Sequence, residues 1–124
     1  MTVQELYACI NGSYDAVKRI LPRDEIIGRF IIRLLSDDSC TRLMQAASAK
    51  DAQGMFEAAH SMKGVCANLG LPELSSMASV VAEEFRPGKT RKMSEEELAS
   101  HLGILKDKYE ADMAAIRRFA SGQG

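Results

Sequence analysis

From Leu98 onward, apolar residues recur three and four positions apart: Leu98, Leu102, Leu105, Tyr109, Met113 and Ile116. On a helix with 3.6 residues per turn this spacing draws one stripe, the seam of a helical bundle. The same period governs the segments upstream. Ile26, Ile27, Phe30, Ile31, Leu34 and Leu35 make one broad apolar face behind Asp24 and Glu25, which suit the positive end of a helix. Leu74, Met77, Ala78, Val81 and Phe85 make another behind Pro72, at a first helical position that accepts proline. β-Branched residues are sparse and never alternate with polar ones, so no strand is expected. The expected fold is all-α: an antiparallel up-and-down four-helix bundle preceded by one or two short N-terminal helices.

The boundaries follow from local punctuation. Residues 2–10 read as a short apolar helix ended by Asn11-Gly12, and Ser13 caps a second that runs to Leu21, before Pro22. Ser36-Asp37-Asp38-Ser39 interrupts the next helical run, as either a break or a bend, before a turn carrying Leu43, Met44 and Ala47. A helix from Ala52 ends at Gly70, a natural left-handed cap. Arg86-Pro87-Gly88 stops the helix after it, and Ser94 with Glu97 forms a capping box for the last one. The expected domain is therefore a single bundle over residues 22–120, with a helical lid at 1–21 and a frayed tail at 121–124.

Composition narrows the function. A chain of 124 residues with a net charge of −1 makes one domain and has no polyelectrolyte character. No apolar run approaches the roughly 20 residues that cross a bilayer, and Met1-Thr2-Val3-Gln4-Glu5 lacks the blocks of a signal peptide. Cys9, Cys40 and Cys66 are odd in number and widely spaced, which argues against a disulfide framework and for a reducing cytoplasm. The basic cluster Arg86, Lys89, Arg91 and Lys92 is followed by Glu95-Glu96-Glu97 and reads as a solvated turn rather than a nucleic-acid site. His60 and His101 lie far apart without metal-ligand spacing, and His101 reads as incidental. There is no glycine-rich phosphate loop, so no autonomous kinase site is expected.

His60 is the residue that packing does not explain. At about 100° per residue, Met55, Met62, Cys66 and Leu69 lie opposite it, with Ala58 and Ala59 at their flanks. Those residues form the buried stripe, so the imidazole faces solvent beside Gln53, Gly64 and Ala67. Gly64 is costly in a helix interior and leaves bare backbone one turn from the ring, where another macromolecule can approach. Lys63 can swing its ammonium toward an anion carried on the imidazole. Phe56, one turn before, is open to two readings: an exposed docking aromatic, or a residue packed on a neighbouring helix.

The run His60-Ser61-Met62-Lys63-Gly64, followed by Ala67-Asn68-Leu69-Gly70 and Leu71-Pro72-Glu73-Leu74, resembles the histidine phosphotransfer (HPt) domain family of two-component phosphorelays. The layout agrees from about Pro22 to Phe119. The resemblance implies a four-helix bundle and a phosphoryl carrier rather than an enzyme. His60 would accept a phosphoryl group on its outer ring nitrogen from a kinase or receiver domain and pass it to a response-regulator aspartate. Lys63 would stabilise the phosphoryl charge, and Gly64, Phe56, Gln53 and Ala67 would meet the receiver. No metal or cofactor is expected in the chain itself; the magnesium belongs to the receiver. The family often places a Glu or Gln on the adjacent helix to hydrogen-bond the imidazole. Ala82 cannot do this, which leaves Ser79 and Glu83, with Arg86 leaning over the site.

The expected partners are a receiver domain of a response regulator or hybrid histidine kinase, with no nucleic acid, no membrane and a monomeric state. Two alternatives remain: a helical docking module that is never phosphorylated, and the phosphoacceptor module of a larger histidine kinase. Met1 and the small-residue end favour a free-standing protein over the latter.

Overall fold

In a computed structural model, which describes residues 1–122, the chain forms seven α-helices and one 3-10 turn, with no strand among the described residues. The helices are α1 (Val3–Cys9), α2 (Tyr14–Ile20), α3 (Asp24–Arg33), α4 (Ser39–Ser48), α5 (Ala52–Asn68), α6 (Pro72–Glu84) and α7 (Glu95–Gly122). Starts are set by short polar side chains. Thr2 and Glu5 close a capping box, Ser13 caps α2, Asp51 caps α5, and Ser94 and Glu97 form the box that begins α7.

Three ends share one device. After α1, α4 and α5, a residue in the left-handed region turns the chain: Asn11 (φ 53), Lys50 (φ 54) and Gly70 (φ 72). In each case the amide of the following residue reaches back to the last turn: Gly12 to Tyr7, Asp51 to Ala46 and Leu71 to Cys66, at 2.8–2.9 Å. Terminal carbonyls are thereby satisfied, and the chain turns into the next helix.

The interruption near Ser36 is a break. Helical dihedrals continue through the 3-10 turn Leu34–Ser36, Asp37 is extended, and its carboxylate caps Ser39 through both amide and hydroxyl. Because α3, the 3-10 turn and α4 all pack on α7, this broken rod occupies one side of the bundle, and α5, α6 and α7 form the other three. With 28 residues, α7 is about 42 Å long and spans the rod's whole length. Leu98, Leu102, Leu105, Met113 and Ile116 of its seam are buried, and Tyr109 is half-buried. The helix continues through Ser121, whose hydroxyl bonds the Arg117 carbonyl, to Gly122; this corrects the frayed tail at those two positions. Gln123 and Gly124 lie outside the described residues.

The first 21 residues are more than a cover. Val3, Leu6, Tyr7, Ile10 and Val17 join the core, and the Ser13 amide bonds the Gly70 carbonyl at 2.7 Å. Lys108 of α7 bonds the Ile10 carbonyl (2.8 Å) and the buried Asp112 (2.9 Å), with Glu73 of α6 at 3.5 Å. Burial raises the Asp112 pKa, against the pull of Lys108. One face departs from expectation: Ile27 and Ile31 of α3 and Leu34 of the 3-10 turn are buried, whereas Phe30 keeps 40% of its surface exposed.

Candidate functional site

The 17 residues of α5 carry the stripe Met55, Ala58, Ala59, Met62 and Cys66 into the core. Burial pushes the Cys66 thiol up to about 12, and Cys40 across the core to about 11, so neither is a nucleophile. On the opposite side His60, Gln53, Gly64 and Ala67 are exposed, and Lys63 is half-buried. A Cβ built at Gly64 would meet nothing within 4 Å, so the backbone beside the imidazole is open. The Lys63 ammonium has no ion pair or hydrogen bond among the described residues. Gln53 is occupied with Glu57 at 2.9 Å.

The register of α6 against α5 is marked by Ser75, whose hydroxyl donates to the Lys63 carbonyl at 3.1 Å. Running antiparallel from that point, Ala78 and Ser79 come level with His60, and Ala82 level with Phe56. Ala78 and Ala82 are buried and have no polar atoms to offer. Glu83 is committed elsewhere: it holds Arg86 through two bonds (3.1 and 2.5 Å), with Lys89 at 3.5 Å, and the Arg86 bonds bring its pKa down to about 2. Among the described residues, no hydrogen bond joins His60 to Ser79 or Glu83.

What touches the imidazole instead is Phe56. The two rings lie 5.6 Å apart and 20° from parallel, and the Arg86 guanidinium sits over the phenyl ring at 5.6 Å. Phe56 is half-buried and packs against the core, as the second of its two readings has it, and it also stacks on the histidine itself, which neither reading includes. An i, i+4 aromatic pair was readable in the spacing, but whether the rings stack depends on rotamers.

A second feature escapes the sequence reading. Beyond Gly64, the flank of α5 forms one wall of an apolar groove whose other walls are Ile20, Leu21 and Phe30; Val65 and Asn68 belong to it. Ile20 is 56% exposed, and Arg33, which lies over the Phe30 ring, has no ion pair among the described residues. The signal was composite: Ile20 and Phe30 belong to separate helices whose meeting is a tertiary fact.

The remaining charges are structural. Arg91 pairs with Glu84 and Glu95, so much of the basic loop is neutralised locally, and His101 is a surface residue of α7. No group of His, Cys, Asp or Glu suited to a metal occurs among the described residues, and no helix is long and apolar enough to cross a membrane.

An exposed imidazole beside a cation and open backbone can exchange a group with another macromolecule. Comparison with known proteins gives a single finding. The family model described as Hpt domain matches residues 35–119, from the 3-10 turn through most of α7. No curated protein and no solved structure matches the chain. The match covers more than half the sequence and includes the whole histidine face, and the chain belongs to the Hpt domain family.

Proposed function

We propose that this protein relays phosphoryl groups through His60, taking them from an aspartyl phosphate on one receiver domain, or from a kinase, and delivering them to the aspartate of another receiver. Hpt domains are phosphotransfer carriers that work with receiver and kinase domains of two-component systems, and are not kinases in themselves. The observation that carries the assignment to His60 is its exposure beside the open Gly64 and beside Lys63, which has no ion pair among the described residues.

In the transfer, the outer ring nitrogen of neutral His60 attacks phosphorus. A nitrogen–phosphorus bond forms while the acyl-phosphate oxygen–phosphorus bond breaks, and its electron pair leaves with the aspartate carboxylate. The reverse step delivers the group onward. Lys63, one turn along, supplies a positive charge to the phosphoryl oxygens as negative charge redistributes. Gly64 keeps the approach clear, and the magnesium such transfers use is carried by the receiver. The receiver's footprint extends onto the groove of Ile20, Phe30 and Val65. Val65 and Asn68, on its α5 wall, lie five and eight residues beyond His60, about 7.5 and 12 Å along the same helix. A patch of roughly 800 Å² per partner covers both.

The test is transfer from a magnesium-loaded, aspartyl-phosphorylated receiver, read by intact mass at neutral pH for parent, His60→Gln and Lys63→Ala. One acid-labile phosphate on the parent, none on His60→Gln and slowed transfer in a folded Lys63→Ala are expected. Binding to a receiver without any adduct would replace this reading with that of a docking module that is not phosphorylated.

A further inference from the structure

The imidazole of His60 has no hydrogen-bonding partner among the described residues, and the α6 positions level with it are Ala78 and Ser79, with Ala82 one turn on. A nucleophilic ring left free to rotate about its side-chain bonds presents its nitrogen in the reactive direction only part of the time. Near-attack geometry is worth several kcal/mol in such reactions, so the orientation has to come from somewhere. The aromatic side chain stacked on the ring is Phe56, with centroids 5.6 Å apart and planes 20° from parallel.

Phe56 is itself held. It is half-buried at the edge of α5, and Arg86 lies over its ring at 5.6 Å. Arg86 is in turn fixed by the two-point grip of Glu83, which also holds Lys89. The planar guanidinium is suited to this, since it can meet a carboxylate edge-on and an aromatic ring face-on together. A chain of four side chains, Glu83 to Arg86 to Phe56 to His60, therefore connects the end of α6 to the imidazole.

Resting on the relay reading above, we infer that Phe56 is the positioning residue of the phospho-accepting histidine: its ring sets the plane of the imidazole by stacking, where a hydrogen bond from α6 is missing, and Arg86 with Glu83 steadies that ring. Phe56 does not touch the phosphoryl group. It acts by limiting the rotation of the imidazole about its side-chain bonds. Glu83 and Arg86 thus serve the site indirectly, through an aromatic intermediary rather than by contact with the imidazole.

The experiment uses Phe56→Leu, which keeps apolar bulk, and Phe56→Tyr, which keeps the aromatic face. Two readouts are taken on the whole chain without a partner: the ring-proton shifts of His60 by NMR, and the rate of His60 phosphorylation by phosphoramidate, a small phosphoryl donor. A third is receiver-dependent transfer, split into kcat and KM. Stacking predicts ring-current-shifted His60 protons in the parent and Phe56→Tyr that relax in Phe56→Leu. It also predicts a phosphoramidate rate and a kcat about tenfold lower in Phe56→Leu, restored in Phe56→Tyr. If Phe56→Leu changes only KM for the receiver, with shifts and phosphoramidate rate as in the parent, Phe56 is a docking contact and the positioning role is overturned. If the parent accepts no phosphoryl group from either donor, the relay reading itself falls, and the NMR shifts then report a stack without that function.

Discussion

The Tyr7 hydroxyl donates a buried 2.6 Å hydrogen bond to the Leu69 carbonyl, which ties the first helix of the chain to the end of the helix that carries His60. Leu69 closes α5, where carbonyls lack helical partners, and Tyr7 is almost fully buried. Burial also raises the Tyr7 pKa far above the usual phenol range, so the hydroxyl stays a donor at any working pH. Tyr7→Phe should cost about 1–2 kcal/mol in urea unfolding by stranding that carbonyl. Phosphoryl transfer should persist in the folded fraction, because the hydroxyl is remote from the imidazole.

The left-handed residues at Lys50 and Gly70 predict opposite signs. Lys50 occupies a conformation costly for a residue with a Cβ, and Lys50→Gly should stabilise the protein by about 1 kcal/mol. Gly70→Ala should destabilise by about 2 kcal/mol or more, since its Cβ would lie 2.6 Å from the Ser13 carbonyl oxygen as well as adopting positive φ. Thermal melts of the two variants check both.

Gly64→Leu should separate stability from function. Nothing lies within 4 Å of the added Cβ, so helix propensity alone should raise stability by about 0.5–1 kcal/mol. The new side chain blocks the open backbone, and receiver affinity measured by calorimetry should fall at least about tenfold. Unchanged affinity would show that the receiver does not approach there.

Phe30→Asp probes the groove. Phe30 is 40% exposed, so the charge should lower thermal stability through the lost apolar burial and, in the folded protein, weaken receiver binding by about 1–2 kcal/mol. Phosphorylation of His60 by phosphoramidate should be unaffected, since the groove lies away from the ring.

Acid should loosen the α6–α7 loop. Burial disfavours the Glu84 charge, but Arg91 at 2.6 Å and the Met93 and Lys92 amides outweigh it, so its pKa falls below the usual 4.5. Glu83 falls to about 2, chiefly through its hydrogen bonds from Arg86. Both pKa values are lower in the folded state than in the unfolded one. Their contribution is thus fully present above pH 4.5 and is lost as pH drops through the folded values, toward pH 2 for Glu83. Amide exchange at Lys92 and Met93 followed from pH 5 downward should show this, and Glu84→Gln should show it already at pH 7.

The sequence by itself determined the helical period, the caps at Ser13 and at Ser94 with Glu97, the turn at Gly70 and the outward direction of His60. Each rests on spacing within a few residues, where 100° per residue and local capping leave little freedom. The tertiary structure decided the rest: Phe30 emerges from its apolar face beside Ile20, Glu83 turns to Arg86 rather than to the imidazole, Lys108 joins three helices, and Phe56 stacks on His60. These outcomes depend on the rotation and register of one helix against another and on side-chain rotamers. Packing summed over the whole core sets those quantities, and no single stretch of sequence encodes them.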